Sequence, residues 1–285
     1  MDAQKLYHSL DLEFEIDKVN EGEWDSFDLG DFATESFRKT YKGLVLDNSS
    51  EINKVYTAVF PSDPVLDWII ASGVEDALIF THHPMIWDTS LEGFPFRNIP
   101  ARYLDVLKEN RISMYTIHVP LDRNGPYSTT VSFARALEIE ADREFFDYFG
   151  SKVGIIGKTE CTSYFELSTK VKDAVGHLPK IYVNITDQKF NHKVGVVAGG
   201  GNYPEVVEEL AETDVKLYIT GVTRKKADYE PSLRFHEICQ KNKITVIAAT
   251  HYSTEKFACI AIQKFFEGLG LPSEFIEDEP SFDDY

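Results

Sequence analysis

Cysteine is scarce and scattered. Cys161, Cys239 and Cys259 form no CxxC pair, which excludes a disulfide framework and a cysteine-built zinc site. No run approaches the roughly 20 apolar residues that a membrane-spanning helix needs, so no membrane partner is expected. Bases are outnumbered, with 29 Lys and Arg against 47 Asp and Glu. A chain without a basic footprint is a poor ligand for nucleic acid or anionic lipid. The start, Met1-Asp2-Ala3-Gln4-Lys5, lacks the basic-then-apolar pattern of a signal peptide, and a cytoplasmic location is expected. What is present suffices for a full core. Hydrophobic residues make up 43% and aromatics 13% of 285 positions, enough for one large domain or two small ones and too much for a disordered chain.

The negative charge is gathered at the ends. Residues 1–35 hold 11 acids and 2 bases, and residues 274–285 hold 6 acids and no base. Together they account for 15 of the 18 net negative charges. These ends read as solubilising, with partner docking as the other option. Within the first of them, Asp11-Leu12-Glu13-Phe14-Glu15-Ile16 alternates apolar and charged residues, which predicts one short strand.

The middle of the chain alternates strand and helix patterns. Val55–Phe60 predicts a strand, Val65–Ala71 a helix ended by Gly73, and Ala77–Phe80 a strand. Ala101–Asn110 then predicts a helix and Ile112–Val119 a strand. The same order returns with strands over Lys193–Ala198, Leu217–Thr220 and Ile244–Ala249, separated by helices over Pro204–Glu212 and Leu233–Lys241. Strand-helix-strand repetition is the signature of an α/β parallel sheet, and its recurrence reads as an internal duplication. The boundaries drawn are an acidic segment 1–40, a first lobe 41–150, a connector 151–192 with strands (Lys180–Thr186 among them) and a helix, and a second lobe 193–285 with the acidic tail.

Ligands collect at the carboxyl edge of parallel strands, and that edge is rich in metal-type donors. Ala77–Phe80 runs into His82-His83, Ile112–Val119 ends at His118 with Asp122 four residues on, and Ile244–Ala249 runs into His251 with Glu255 four residues on. His251 and Glu255 share one face if a helix starts between them. Adjacent His82 and His83 diverge on an extended backbone and suit two neighbouring metals, one each. His82, His83, Asp122, His251 and Glu255 are the candidate ligands, with His118 a sixth. Imidazoles mixed with carboxylates suit Zn, Fe, Mn, Co or Ni better than Ca or Mg. His8, His177, His192 and His236 lie off these ends and read as ordinary histidines. Gly199-Gly200-Gly201 lacks a complete phosphate-binding spacing; it reads as a tight strand-to-helix turn, with a phosphate cradle as the alternative. Arg224-Lys225-Lys226 reads as a solvated loop that could also draw in an anionic substrate.

The ordered set Thr81-His82-His83-Pro84, Ile117-His118-Val119-Pro120-Leu121-Asp122, Gly199-Gly200-Gly201, Ile219-Thr220-Gly221 and His251-Tyr252-Ser253-Thr254-Glu255 resembles a dinuclear-metal-centre family. That family is known as type 2 GTP cyclohydrolase I or the NGG-interacting-factor family. The resemblance covers roughly residues 41–280. It implies two intertwined α/β lobes with a metal cleft between them and a toroidal homohexamer. It also implies His82 on one ion and His83 on the other, completed by Asp122, His251 and a bridging Glu255. The chain departs from the family pattern at Val222, where an acid usually follows Gly221, and at Thr250, where glycine usually precedes the histidine.

Two functions follow. The first is a metal-dependent hydrolase: two close ions activate water and polarise a substrate, with Glu255 or His118 managing protons. The resemblance implies a nucleotide such as GTP as substrate, and the basic run Arg224-Lys225-Lys226 leaves another small anion open. The second is a non-catalytic metal-binding oligomer, acting as a scaffold, sensor or store. Five ligands shared by two ions leave open positions, which favours the enzyme.

Overall fold

A computed structural model describes residues 1–185, 190–225 and 230–285. The fold is mixed α/β, and the chain forms two compact units. The first comprises Met1–Leu121, Phe149–Ser151 and Cys259–Glu279, and the second Asp122–Tyr148, Lys152–Ala258 and Pro280–Tyr285.

The first unit is built on strands β1 (Gly43–Leu46), β2 (Lys54–Ala58), β3 (Ala77–Thr81), β6 (Ile112–Thr116) and β13 (Ser273–Phe275), in the order β1-β6-β3-β2-β13. All neighbours are parallel except β1, which runs antiparallel to β6. A small hairpin, β4 (Ile86–Trp87) with β5 (Phe96–Arg97), follows β3. Helix α3 (Asp63–Ala71) links β2 to β3. Ser62 caps it by accepting from the Val65 amide, and its Val65, Leu66 and Ile69 face is buried. Gly73 lies just beyond its end at φ +67°, a backbone that costs glycine nothing. Helix α4 (Ala101–Glu109) links β3 to β6 and buries Tyr103, Leu104 and Leu107. The strand expected over Ile112–Val119 stops at Thr116, because Val119–Asp122 winds into one short helix, α5.

The acidic first segment is folded. Ala3–Glu13 is helix α1, where a strand was expected over Asp11–Ile16. Asp2 caps it by accepting from the Lys5 amide, and Ala3, Leu6, Tyr7 and Leu10 form one buried stripe. This helical spacing outweighs the four-residue alternation at its end. Leu12, which the alternation would bury, is 65% exposed, while the Asp11 carboxylate accepts a hydrogen bond from the Tyr115 hydroxyl. A second helix, α2 (Glu35–Thr40), precedes β1 and buries Phe37.

The second unit opens with α6 (Thr129–Ala136). Its sheet has the order β7 (Glu140–Tyr148), β8 (Ser151–Lys158), β10 (Lys193–Val197), β11 (Leu217–Thr220), β12 (Thr245–Ala248), β9 (Lys180–Tyr182). β10, β11 and β12 are parallel, joined by α8 (Pro204–Ala211) and α9 (Glu230–Asn242), while β9 runs antiparallel to β12. The segment 151–192 thus contributes β8, α7 (Tyr164–Val175) and β9. Of the residues expected to form a strand over Lys180–Thr186, Thr186 lies outside the described residues, as does Lys226. Helix α10 (His251–Ala261) leads out of this unit, and α11 (Gln263–Gly268) precedes β13.

The duplication runs deeper than three strands. In each unit the third parallel strand carries an antiparallel edge strand that precedes the motif in sequence. In each, an asparagine just after that edge strand makes the same contacts. Asn48 donates its amide to Ser113 Oγ and its side chain to the Ile112 carbonyl. Asn184 donates its amide to Thr245 Oγ1 and its side chain to the Ile244 carbonyl. The repeated element is therefore β-β-α-β-α-β.

Candidate metal centre

In the first unit, strand register builds the site. Thr81 pairs with Thr116 across β3 and β6, and their hydroxyls lie 2.7 Å apart. The residues that follow, His82-His83 and Ile117-His118, leave the sheet side by side. The rings of His82 and His83 converge, with centroids 4.3 Å apart, rather than diverging as on an extended backbone. Both residues lie beyond the end of β3 at Thr81, where the alternation of a strand no longer applies. His118 stands 5.1 Å from His82 and 5.0 Å from His83, centroid to centroid. One ligand nitrogen from each of the three lies within 4.8 Å of the others. His82 and His83 are fully buried.

Hydrogen bonds fix which ring nitrogens keep a lone pair. His82 Nδ1 lies 3.0 Å from the Ile117 carbonyl, which can only accept, so Nδ1 carries the proton and Nε2 the lone pair. His118 Nδ1 lies 2.8 Å from Glu21 Oε1, with the same consequence. His83 is boxed by rings: Phe60 stacks on it at 4.5 Å and Trp24 meets it edge-on at 5.7 Å. Trp24 also packs against His118 at 5.0 Å.

In the second unit, α10 starts at His251 and puts His251 and Glu255 on one face, as the i, i+4 spacing predicts. His251 Nε2 and Glu255 Oε1 are 3.1 Å apart, a separation that two donors to one ion adopt at bond lengths near ~2.1 Å. Both side chains are buried. Asp122 accepts from the Thr129 hydroxyl at 2.7 Å, and a carboxylate oxygen of Asp122 lies within 4.8 Å of one of Glu255. The glycines make room for this pair. A Cβ on Gly199, which has φ +68°, would stand 2.0 Å from Glu255 Oε1. The Gly199 and Gly201 amides donate to Thr254 Oγ1 and Thr220 Oγ1, so they are spent inside the fold. The tight-turn reading of Gly199-Gly200-Gly201 therefore holds. Thr250 sits at φ +62°, a left-handed backbone that a β-branched residue rarely takes. Its hydroxyl compensates by accepting from the Ser253 amide at 3.3 Å.

The acidic tail is also part of this unit's structure. Asp284, buried, accepts from the His251 amide at 2.7 Å through Oδ2, and its carbonyl accepts from the Thr223 and Arg224 amides. The Tyr285 hydroxyl donates to the Leu178 carbonyl and lies 3.3 Å from His177 Nδ1, while His177 Nε2 lies 2.9 Å from Ser253 Oγ. Burial, then the Asp284 charge, pushes the Tyr285 phenol up to about 12. Burial also holds the His177 imidazole below its ordinary range, so it is neutral near pH 7. Sequence reasoning missed Glu21, Trp24 and Asp284 because each lies in a segment whose charge reads as solubilising. Asp284→Ala strands the His251 amide at the helix start. It should cost about 1–3 kcal/mol of stability by thermal unfolding, with Asp284→Asn recovering most of it.

Residues 34–280 match the family Duf34/NIF3 (NGG1p interacting factor 3). The chain belongs to this family. Among its relatives is a GTP cyclohydrolase 1 type 2 homolog of Pyrococcus horikoshii, 29% identical over 245 residues, which are 84% of this chain and 90% of that one. A protein of the same name from Borreliella burgdorferi is 29% identical over 264 residues, 90% of this chain and 92% of the other. Among solved structures, protein ybgI has a TM-score of 0.76 at 19% identity, covering 99% of this chain and 100% of that one. Reduced HcgD from Methanocaldococcus jannaschii has 0.68 at 23%, covering 98% of each. These establish a NIF3-type fold. The buried His and Glu groups of this NIF3 chain are of the types and spacings that can hold a metal ion. No helix among its described residues is long and apolar enough to cross a membrane. Glu21 and Asp284 both fall outside the matched segment.

Proposed function

We propose that the protein is a divalent-metal-dependent hydrolase with a dinuclear centre held by His82, His83, Asp122, His251 and Glu255, the last bridging the ions. The observation that carries this reading is the chemistry of the buried donors. Three imidazoles stand together in one unit, His82 and His83 buried and His118 half-buried, and in the other buried His251 and Glu255 stand with half-buried Asp122; such groups are costly to bury unless an ion or a full set of partners satisfies them. Nitrogen with carboxylate oxygen suits Zn, Fe, Mn, Co or Ni. When bound, such ions supply Lewis acidity and lower the pKa of water. The protein's own residues do the rest. The Ile117 carbonyl orients His82, the ring box around His83 excludes water, and Glu255 would accept a proton from water. The substrate class is a nucleotide or a related small anion, supported by the name its relatives carry. The chain would act as a homo-oligomer, hexameric by the family resemblance.

The test is a turnover screen on metal-reconstituted protein. It would use guanosine triphosphate, phosphoesters and cyclic amides, reading phosphate release and loss of purine absorbance. Turnover that requires metal and vanishes in His82→Ala supports the hydrolase. Two tightly bound ions per chain with no turnover on any class would overturn it in favour of a metal-binding scaffold or store.

A further inference from the structure

Glu21 is an acid in a segment of acids, yet its side chain is only 2% exposed. Each carboxylate oxygen has a defined partner in the first unit. Oε1 lies 2.8 Å from His118 Nδ1, and Oε2 accepts from the Val119 amide at 3.0 Å. Both partners sit at the turn where β6 gives way to α5. Trp24, three residues on, packs edge-on against the same His118 ring. A stretch that precedes the family-matching segment thus reaches into the histidine cluster and grips one member of it at two points.

We propose that Glu21 is a positioning residue that makes His118 a metal ligand, a role that rests on the metal-dependent reading above. A carboxylate accepts but cannot donate, so Nδ1 of His118 must carry the ring proton and Nε2 must keep its lone pair. The bond to Val119 stops the carboxylate from turning away, and the Trp24 edge stops the ring from tilting. His118 would therefore offer Nε2 as its ligand nitrogen beside His82 and His83, with which it forms a group that has one nitrogen from each ring within 4.8 Å of the others. A lone pair kept at Nε2 could serve an ion or a proton. Its place among three ligand nitrogens within 4.8 Å of one another points to the ion.

The second unit offers a parallel built from the other end of the chain. Ser113 and Thr245 take the same asparagine contact, which makes Val119 and His251 equivalent positions in the repeat. Glu21 accepts from the Val119 amide, and Asp284 from the His251 amide. Each acidic end supplies one buried carboxylate to the backbone turn that carries a candidate ligand.

Glu21→Gln is the sharpest test, because it changes hydrogens and not size. The Val119 amide is always a donor, so the glutamine oxygen must face it and the glutamine NH2 must face His118. The imidazole then has to accept at Nδ1, which moves its proton to Nε2 and removes the ligand lone pair. Zinc affinity of the full chain would be measured by chelator competition, and the His118 tautomer by 15N NMR of the metal-stripped protein. We expect zinc binding weakened about 10- to 100-fold, the size typical for loss of a group that orients a ligand. The proton should shift to Nε2, with the metal-stripped variant still folded. Glu21→Ala, which frees the His118 tautomer and so should weaken zinc less than Glu21→Gln but still below wild type, carries the comparison should Glu21→Gln fold poorly. His82→Ala separates the two failures. If it loses zinc while the Glu21 variants keep wild-type affinity, the role of Glu21 is refuted. If His82→Ala also keeps zinc, the metal reading itself falls.

Discussion

Glu255→Ala should abolish tight metal binding. Glu255 is the residue on which the second unit's candidate ligands converge: its Oε1 lies 3.1 Å from His251 Nε2, and Asp122 lies within ligand distance of it. A bridging carboxylate contributes to both ions at once, so its removal should cost more than the 10- to 100-fold typical of a supporting residue. The measurement is elemental mass spectrometry on protein purified without added metal or chelator. Wild type is expected to carry close to two transition metals per chain and the variant well under one. Two metals retained in Glu255→Ala would refute the bridging assignment. Near-zero metal in the wild type, with none regained on adding Zn, Mn or Fe, would refute the centre altogether.

Gly199→Ala should approach the same loss with every candidate ligand left in the sequence. Its added methyl would stand 2.0 Å from Glu255 Oε1 and 2.9 Å from the carboxyl carbon, so the carboxylate must swing away. The backbone there has φ +68°, where alanine pays about 1–2 kcal/mol that glycine does not. Moving a buried carboxylate off its partners adds to this, for about 2–4 kcal/mol in all. Gly200→Ala is the control, because its Cβ would meet nothing within 4 Å and its backbone is ordinary. Thermal unfolding and zinc competition on both variants should show a large loss for the first and little change for the second. Equal effects would mean that the glycine run serves the turn as a whole and not clearance for Glu255.

The sequence by itself determined the parallel strands, their linking helices and the residues at their carboxyl ends. Each of these rests on local chemistry. β-rich runs, helical spacing and turn residues act over a few positions, and a strand that ends in His82-His83 does so in any fold. The i, i+4 spacing of His251 and Glu255 likewise needed only a helix to follow. The tertiary structure decided what depends on distant partners. Asp11–Ile16 alternates like a strand, but α1 wins because Ala3, Leu6, Tyr7 and Leu10 bury one helical stripe. Of the repeat's edge strands, Lys180–Tyr182 falls in a run that reads as β-rich, but its antiparallel pairing with β12, like that of Gly43–Leu46 with β6, depends on partners far along the chain. Glu21 and Asp284 look like any other acid in an acidic run. Only folding separates them, since a carboxylate becomes structural when it is buried against amides and an imidazole lying 97 and 98 residues away for Glu21, or 33 for Asp284. Charge density is a property of composition, whereas the burial of one charge is a property of the chain's path.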